Sequence, residues 1–175
     1  DDSRARRVPA RLFWPASAGN KKVPLIVFSH GIGSSRDGYT YLGRFWASRG
    51  IASLHLQHVG SDRTLWQGNP LSLVSRFQDA ANEQEAVARV QDFSFALDQL
   101  LKGEHGARIA TDRIVAAGHS YGANTTLMVS GAKVVRNGRL LQFRDPRVSA
   151  AIVISAPPFY GEDDFGPILS GISIP

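Results

Sequence analysis

Three short apolar runs constrain this chain more than any other feature: VPLIVFSH (23–30), IASLHL (51–56) and RIVAAGHS (113–120). Each is too short for a buried helix and too continuous for a strand with one wet face, which is the pattern of strands covered on both sides. Helix patterns separate them. DGYTYLGRFWAS (37–48) ends at Arg49-Gly50 in the manner of a glycine C-cap. Ala86, Val90, Phe93, Leu97 and Leu101 recur at spacings of three and four residues, which predicts one long helix from about Gln78 to Lys102. YGANTTLMVSGAKVV (121–135) predicts the next helix, RVSAAIVIS (147–155) a further strand, and the proline-bounded VPARLFWP (8–15) a first one. Strands alternating with helices specify an α/β domain with a mostly parallel sheet. No repeat or linker divides the 175 residues, so a single domain is expected.

Composition removes several classes of function. With 43% hydrophobic and 20% charged residues, the chain has no apolar run near the roughly 18–20 residues that a membrane-spanning helix requires. Zero cysteines exclude disulfides, thiolate metal sites and a cysteine nucleophile, while leaving the compartment unread. The start at Asp1-Asp2 is compatible with a processed secreted or periplasmic protein and equally with a trimmed chain. The net charge of +5 comes largely from scattered arginines (Arg4, Arg6, Arg7, Arg11, Arg136, Arg139, Arg144, Arg147) without interleaved aromatics. These read as a solvated basic surface and not as a nucleic-acid face.

Chemistry concentrates at the carboxyl ends of the strands, where GHSYG (118–122) and SHGIGSS (29–35) both fall. Gly118-His119-Ser120-Tyr121-Gly122 is a G-x-S-x-G between a buried strand and a helix, the context in which that pattern holds a serine on a sharp turn with Oγ exposed. The bland alternative is a serine that merely caps the helix. His119 is expected to pack beneath the turn, pointing away from Ser120. An oxyanion needs two donors, and the backbone N–H groups of Tyr121 and Ile32 are the candidates. His30 is then expected to shape the loop. Gly31-Ile32-Gly33 also permits a dinucleotide reading, but Arg36 stands where its third glycine belongs and no ribose-binding acid ends the next strand.

A serine nucleophile needs a base and an orienting acid. All five histidines, His30, His55, His58, His105 and His119, precede Ser120. The later acids Asp145, Glu162, Asp163 and Asp164 follow no convincing strand and are read as surface residues. A metal site at His55 and His58 lacks a third ligand, and that i, i+3 spacing splits the pair across a strand. The two are expected to line or edge the pocket instead. Trp66, Phe159 and Tyr160 fall in loops that would either wall the pocket or serve as ordinary core and surface aromatics.

RARRVPARLFWPA (4–16), VFSHGIGSSRDGY (27–39) and AAGHSYGANTT (116–126) together resemble the α/β-hydrolase superfamily, closest to its platelet-activating-factor acetylhydrolase and dienelactone-hydrolase-like esterase branch. The resemblance implies a three-layer α/β-hydrolase fold, present here as its N-terminal part, residues 1–175. It implies Ser120 as nucleophile, Ile32 and Tyr121 as oxyanion-hole amides, a small-molecule ester substrate, and no cofactor or metal. True dienelactone hydrolases use cysteine, which this chain lacks. The triad acid and histidine have no counterpart here, so a non-catalytic binding protein or an inactive fragment stands as the alternative to a serine carboxylester hydrolase.

Overall fold

The computed structural model describes residues 1–136, 138–159 and 165–175. Seven strands are present among them: β1 Ala10–Phe13, β2 Val23–Ser29, β3 Ala52–Leu56, β4 Ile109–His119, β5 Lys133–Arg136, β6 Arg139–Gln142 and β7 Val148–Ile154. The helices are α1 Thr40–Ser48, α2 Leu73–Ala80, α3 Glu83–Lys102, α4 Tyr121–Ser130 and α5 Phe165–Leu169. Five strands form one sheet in the order β1-β3-β2-β4-β7, parallel except where β1 runs antiparallel to β3. β5 and β6 form a separate antiparallel hairpin.

The apolar runs are continuous because both sheet faces are covered. Leu25 and Val27 of β2 face a core shared with Val90, Phe93 and Leu97 of α3 and Met128 and Val129 of α4. Ile26 and Phe28, one residue out of step, face the opposite side, where Leu42 and Trp46 of α1 close over them. Alternate side chains of one strand thus serve two cores, as the pleat requires, and the three expected layers are present.

Two predicted helices have different limits. The pattern from 78 to 102 breaks at Ala81-Asn82, where the Asn82 carboxamide accepts the Glu85 N–H at 2.8 Å and starts α3 afresh. The helix predicted to reach Val135 stops at Ser130, because Gly131 adopts φ 116° and directs the chain into the β5–β6 hairpin. Ala132, Val134 and Val135 extend the helical pattern in sequence, but Ala132 precedes β5 and Val134 and Val135 belong to it.

Candidate active site

β4 ends at His119 and α4 begins at Tyr121, so the reversal of chain direction falls entirely on Ser120. Its φ of 54° and ψ of −123° lie where L residues rarely go, at a cost of about 1–3 kcal/mol. The surroundings enforce it. Ser120 N–H donates to the Ile154 carbonyl at 2.9 Å, and the Ser120 carbonyl accepts the Ala123 N–H at 2.8 Å. A Cβ on Gly118 would be driven into the Gly122 carbonyl, and one on Gly122 into the Ser29 carbonyl. Glycine is therefore a steric requirement at both positions. The Ser120 side chain makes no cap hydrogen bond to α4, so the capping alternative does not describe it.

The loop after β2 lies against this turn. β2 and β4 are parallel neighbours in a register that pairs Ser29 with Gly118, and a Cβ built on Gly31 would sit 3.3 Å from that of Ser120. Gly33 N–H donates to the Ser61 carbonyl at 2.8 Å and Ser34 N–H to that of Gly31 at 3.1 Å, which sets the shape of the loop. The Ile32 N–H makes no backbone hydrogen bond among the described residues. Tyr121 is the first residue of α4, so its N–H belongs to the helix end that carries positive dipole charge.

A family model described as platelet-activating factor acetylhydrolase, isoform II, matches residues 5–65. Among solved structures, a dienelactone hydrolase from Anabaena variabilis superposes with a TM-score of 0.52 at 16% identity, over 72% of this chain and 52% of its own. A ferulic acid esterase from Streptomyces cinnamoneus gives 0.55 at 28% identity over 78% of this chain and 39% of its own. An acylaminoacyl peptidase from Pyrococcus horikoshii gives 0.58 at 20% identity over 83% and 20%. The fold is the α/β-hydrolase fold. The chain spans about half the length of the first of these relatives and less of the other two. No curated protein matches it.

In this α/β-hydrolase fold none of the five histidines bonds to Ser120 among the described residues. His119 pairs with the Tyr39 hydroxyl through Nδ1 at 2.8 Å. His30 is buried, with Nδ1 against the Gly31 carbonyl at 2.7 Å and Nε2 accepting the His58 N–H at 3.1 Å. That pattern requires a neutral ring with its proton on Nδ1, and burial holds its pKa well below the ordinary value, helped by Arg89 and His58. His105 stacks on Trp14. His55 lies among Phe13, Phe28 and Trp46. His58 bonds Asp92 Oδ2 at 3.0 Å and Ser29 Oγ at 3.1 Å. Ser29, His58 and Asp92 thus share the residue types of a catalytic triad, yet all three are buried beneath the sheet's carboxyl end. Burial keeps His58 neutral, and it is a structural link.

That link is one strand of a buried polar network which sequence reasoning did not find. Asp92 also accepts from Arg4 at 2.9 Å and Arg6 at 3.0 Å, and Arg6 reaches Glu85 at 2.9 Å. Glu85 accepts from the Ser61 hydroxyl at 2.8 Å, which in turn accepts from Arg89 at 2.8 Å. Arg89 is fully buried, donates to Thr125 at 3.0 Å and to the His30 carbonyl, and lies 4.6 Å over the Tyr121 ring. Burial lowers its pKa to about 10, which leaves it cationic at neutral pH. One guanidinium therefore ties the 29–35 loop to the helix that follows Ser120. The available signal was a row of Glu85, Arg89 and Asp92 at helical spacing beside the apolar stripe of α3.

Several expectations need correction. Arg4 and Arg6 are anchors of this network, not solvated surface. His55 and His58 are buried core residues, enclosed by the aromatic cluster and Asp92, and among the described residues they do not edge a pocket as expected. Asp145 is buried, not superficial: burial alone would raise its carboxyl, but hydrogen bonds from Arg147 hold it below the ordinary range. Two cavities meet at Ala81, in the break between α2 and α3. Phe159 and Tyr121 line one of about 380 Å³, Trp66 and Ile32 the other. Tyr160, Glu162, Asp163 and Asp164 lie outside the described residues. Among the described residues no group of three or more His, Asp or Glu side chains is placed to hold a metal ion.

Proposed function

We propose that the chain carries the nucleophile and oxyanion machinery of a serine carboxylester hydrolase acting on small-molecule esters through an acyl-enzyme at Ser120. The observation that carries it is the conformation of Ser120: the fold sustains strain at this residue, uses its hydroxyl for no cap, and brings Gly31-Ile32 beside it. The family model over residues 5–65 and the ferulic acid esterase neighbour at 28% identity support a hydrolase of this kind. In the proposed reaction Ser120 Oγ attacks the ester carbonyl as a base takes its proton. The Ile32 and Tyr121 N–H groups hold the oxyanion, and collapse expels the alcohol, which receives the proton. Water then attacks the acyl-enzyme, releasing acid and restoring the serine.

A second reading, a non-catalytic protein of this fold or an inert piece of one, is favoured by the commitment of every histidine to another partner. A fluorophosphonate decides between them, because it bonds to serines activated by a base. The ester-hydrolase reading expects one adduct, on Ser120, and loss of at least about a thousandfold in ester turnover for Ser120→Ala. No adduct, with turnover indifferent to Ser120→Ala, would leave the non-catalytic reading standing.

A further inference from the structure

The second cavity, about 440 Å³, opens between the 29–35 loop and α2 and begins at Ile32, whose N–H is the proposed oxyanion donor. Its other walls include Trp66, Val74, Phe77 and Gln78. The walls are fixed to the loop they adjoin. Trp66 Nε1–H donates to the Gly33 carbonyl at 2.8 Å, and the Trp66 and Phe77 rings meet edge to face at 5.0 Å. Arg76 donates to the Leu65 carbonyl at 2.9 Å and the Asn69 carbonyl at 3.0 Å, which fastens α2 to the segment carrying Trp66. Yet Trp66 is 61% exposed and Val74 69%, although both are large and apolar. A preformed, open, apolar wall beside polar reaction chemistry is the usual make-up of a small-molecule site.

We propose that this cavity is the acyl pocket of the Ser120 site and takes an extended apolar acyl group; this rests on the ester-hydrolase reading above. A carbonyl with its oxygen at the Ile32 N–H has its two substituents within a few bonds of the Ile32 side chain. The leaving alcohol must receive a proton from the group that served as base, so it departs on the side where a titratable group stands. Among the described residues no ionisable side chain lines this cavity. It therefore accepts the other substituent, the acyl group, whose methylenes each contribute about a fourfold gain in affinity when buried.

Binding of the acid product tests this without requiring turnover. Acetate, butyrate, hexanoate and octanoate are titrated into the chain carrying Ser120→Ala, with tryptophan fluorescence as readout; Trp66→Phe assigns the signal among Trp14, Trp46 and Trp66. Hexanoate is expected to bind at least tenfold more tightly than acetate, through a change lost in Trp66→Phe. Val74→Asp, at an exposed position that leaves folding intact by circular dichroism, is expected to weaken hexanoate at least tenfold. Equal affinity across the series, or hexanoate binding unaltered by Val74→Asp, would overturn the proposal. So would self-association of the chain that Val74→Asp abolishes, since the face would then be an interface between copies. Failure of the ester-hydrolase reading shows separately, as turnover indifferent to Ser120→Ala; Ser120-dependent turnover without chain-length selectivity overturns the pocket alone.

Discussion

Ser120 is held at φ 54° by its neighbours, and only a residue without Cβ occupies that region freely. Ser120→Gly should therefore raise stability while removing the proposed nucleophile. Relief of about 1–3 kcal/mol of strain, less the added freedom of glycine in the unfolded chain, leaves a net gain of about 1 kcal/mol, or a rise of roughly 2–4 °C in thermal midpoint. A lower midpoint by calorimetry would mean the turn is unstrained. Gly122→Ala acts oppositely: its Cβ meets the Ser29 carbonyl of β2, a strand that cannot retreat from the sheet centre, and the variant should fail to fold or lose several kcal/mol. This turn was legible in sequence because its causes are local. A buried run, two glycines and a helix pattern suffice. The companion loop was legible as far as SHGIG, but not the Arg89 contact to its His30 carbonyl, which joins residues far apart in sequence.

At the scale of elements, the apolar runs became strands as expected, and the two helix patterns that overran did so because each was continued past a residue that ends it. Residues 78–102 keep helical spacing through Ala81-Asn82, yet Asn82 at φ −76° and ψ 166° is extended and caps α3 with its carboxamide. Asn82→Ala removes that cap and should cost about 1 kcal/mol in urea denaturation. If Asn82→Ala is neutral, the break between α2 and α3 is held by packing and not by the cap. The break matters beyond stability, since Ala81 and its neighbours stand between the two cavities. At Gly131 the residues beyond the stop were apolar enough to pass for more helix, while a φ of 116° and a close approach to the Gly171 carbonyl leave no room for one.

Across the whole molecule, the layers could be read from period and order, whereas the fate of the histidines could not. A histidine at the end of a buried strand reads the same whether it lines a cleft or is sealed in the core, and only the packing of distant segments decides. His30, His55 and His58 are all sealed, and burial is the leading cause that holds each neutral, taking His55 down to about 4 and the other two well below the usual value. Once unfolded, each imidazole titrates near pH 6.5. Between that value and about 4 the unfolded chain binds protons that the folded chain refuses, so stability must fall as the pH falls. Each histidine contributes up to about 1.4 kcal/mol per pH unit in that window. The urea midpoint should drop steeply from pH 7 to 5. His55→Phe isolates one share of this, because the Nδ1 of His55 has no hydrogen-bond partner and its neighbours are aromatic. Whatever the new ring does to packing at neutral pH, the variant's stability should decline more gently on acidification, by about one proton's worth. An unchanged slope would mean that His55 is already protonated in the folded protein, and that the aromatic cluster tolerates a charge.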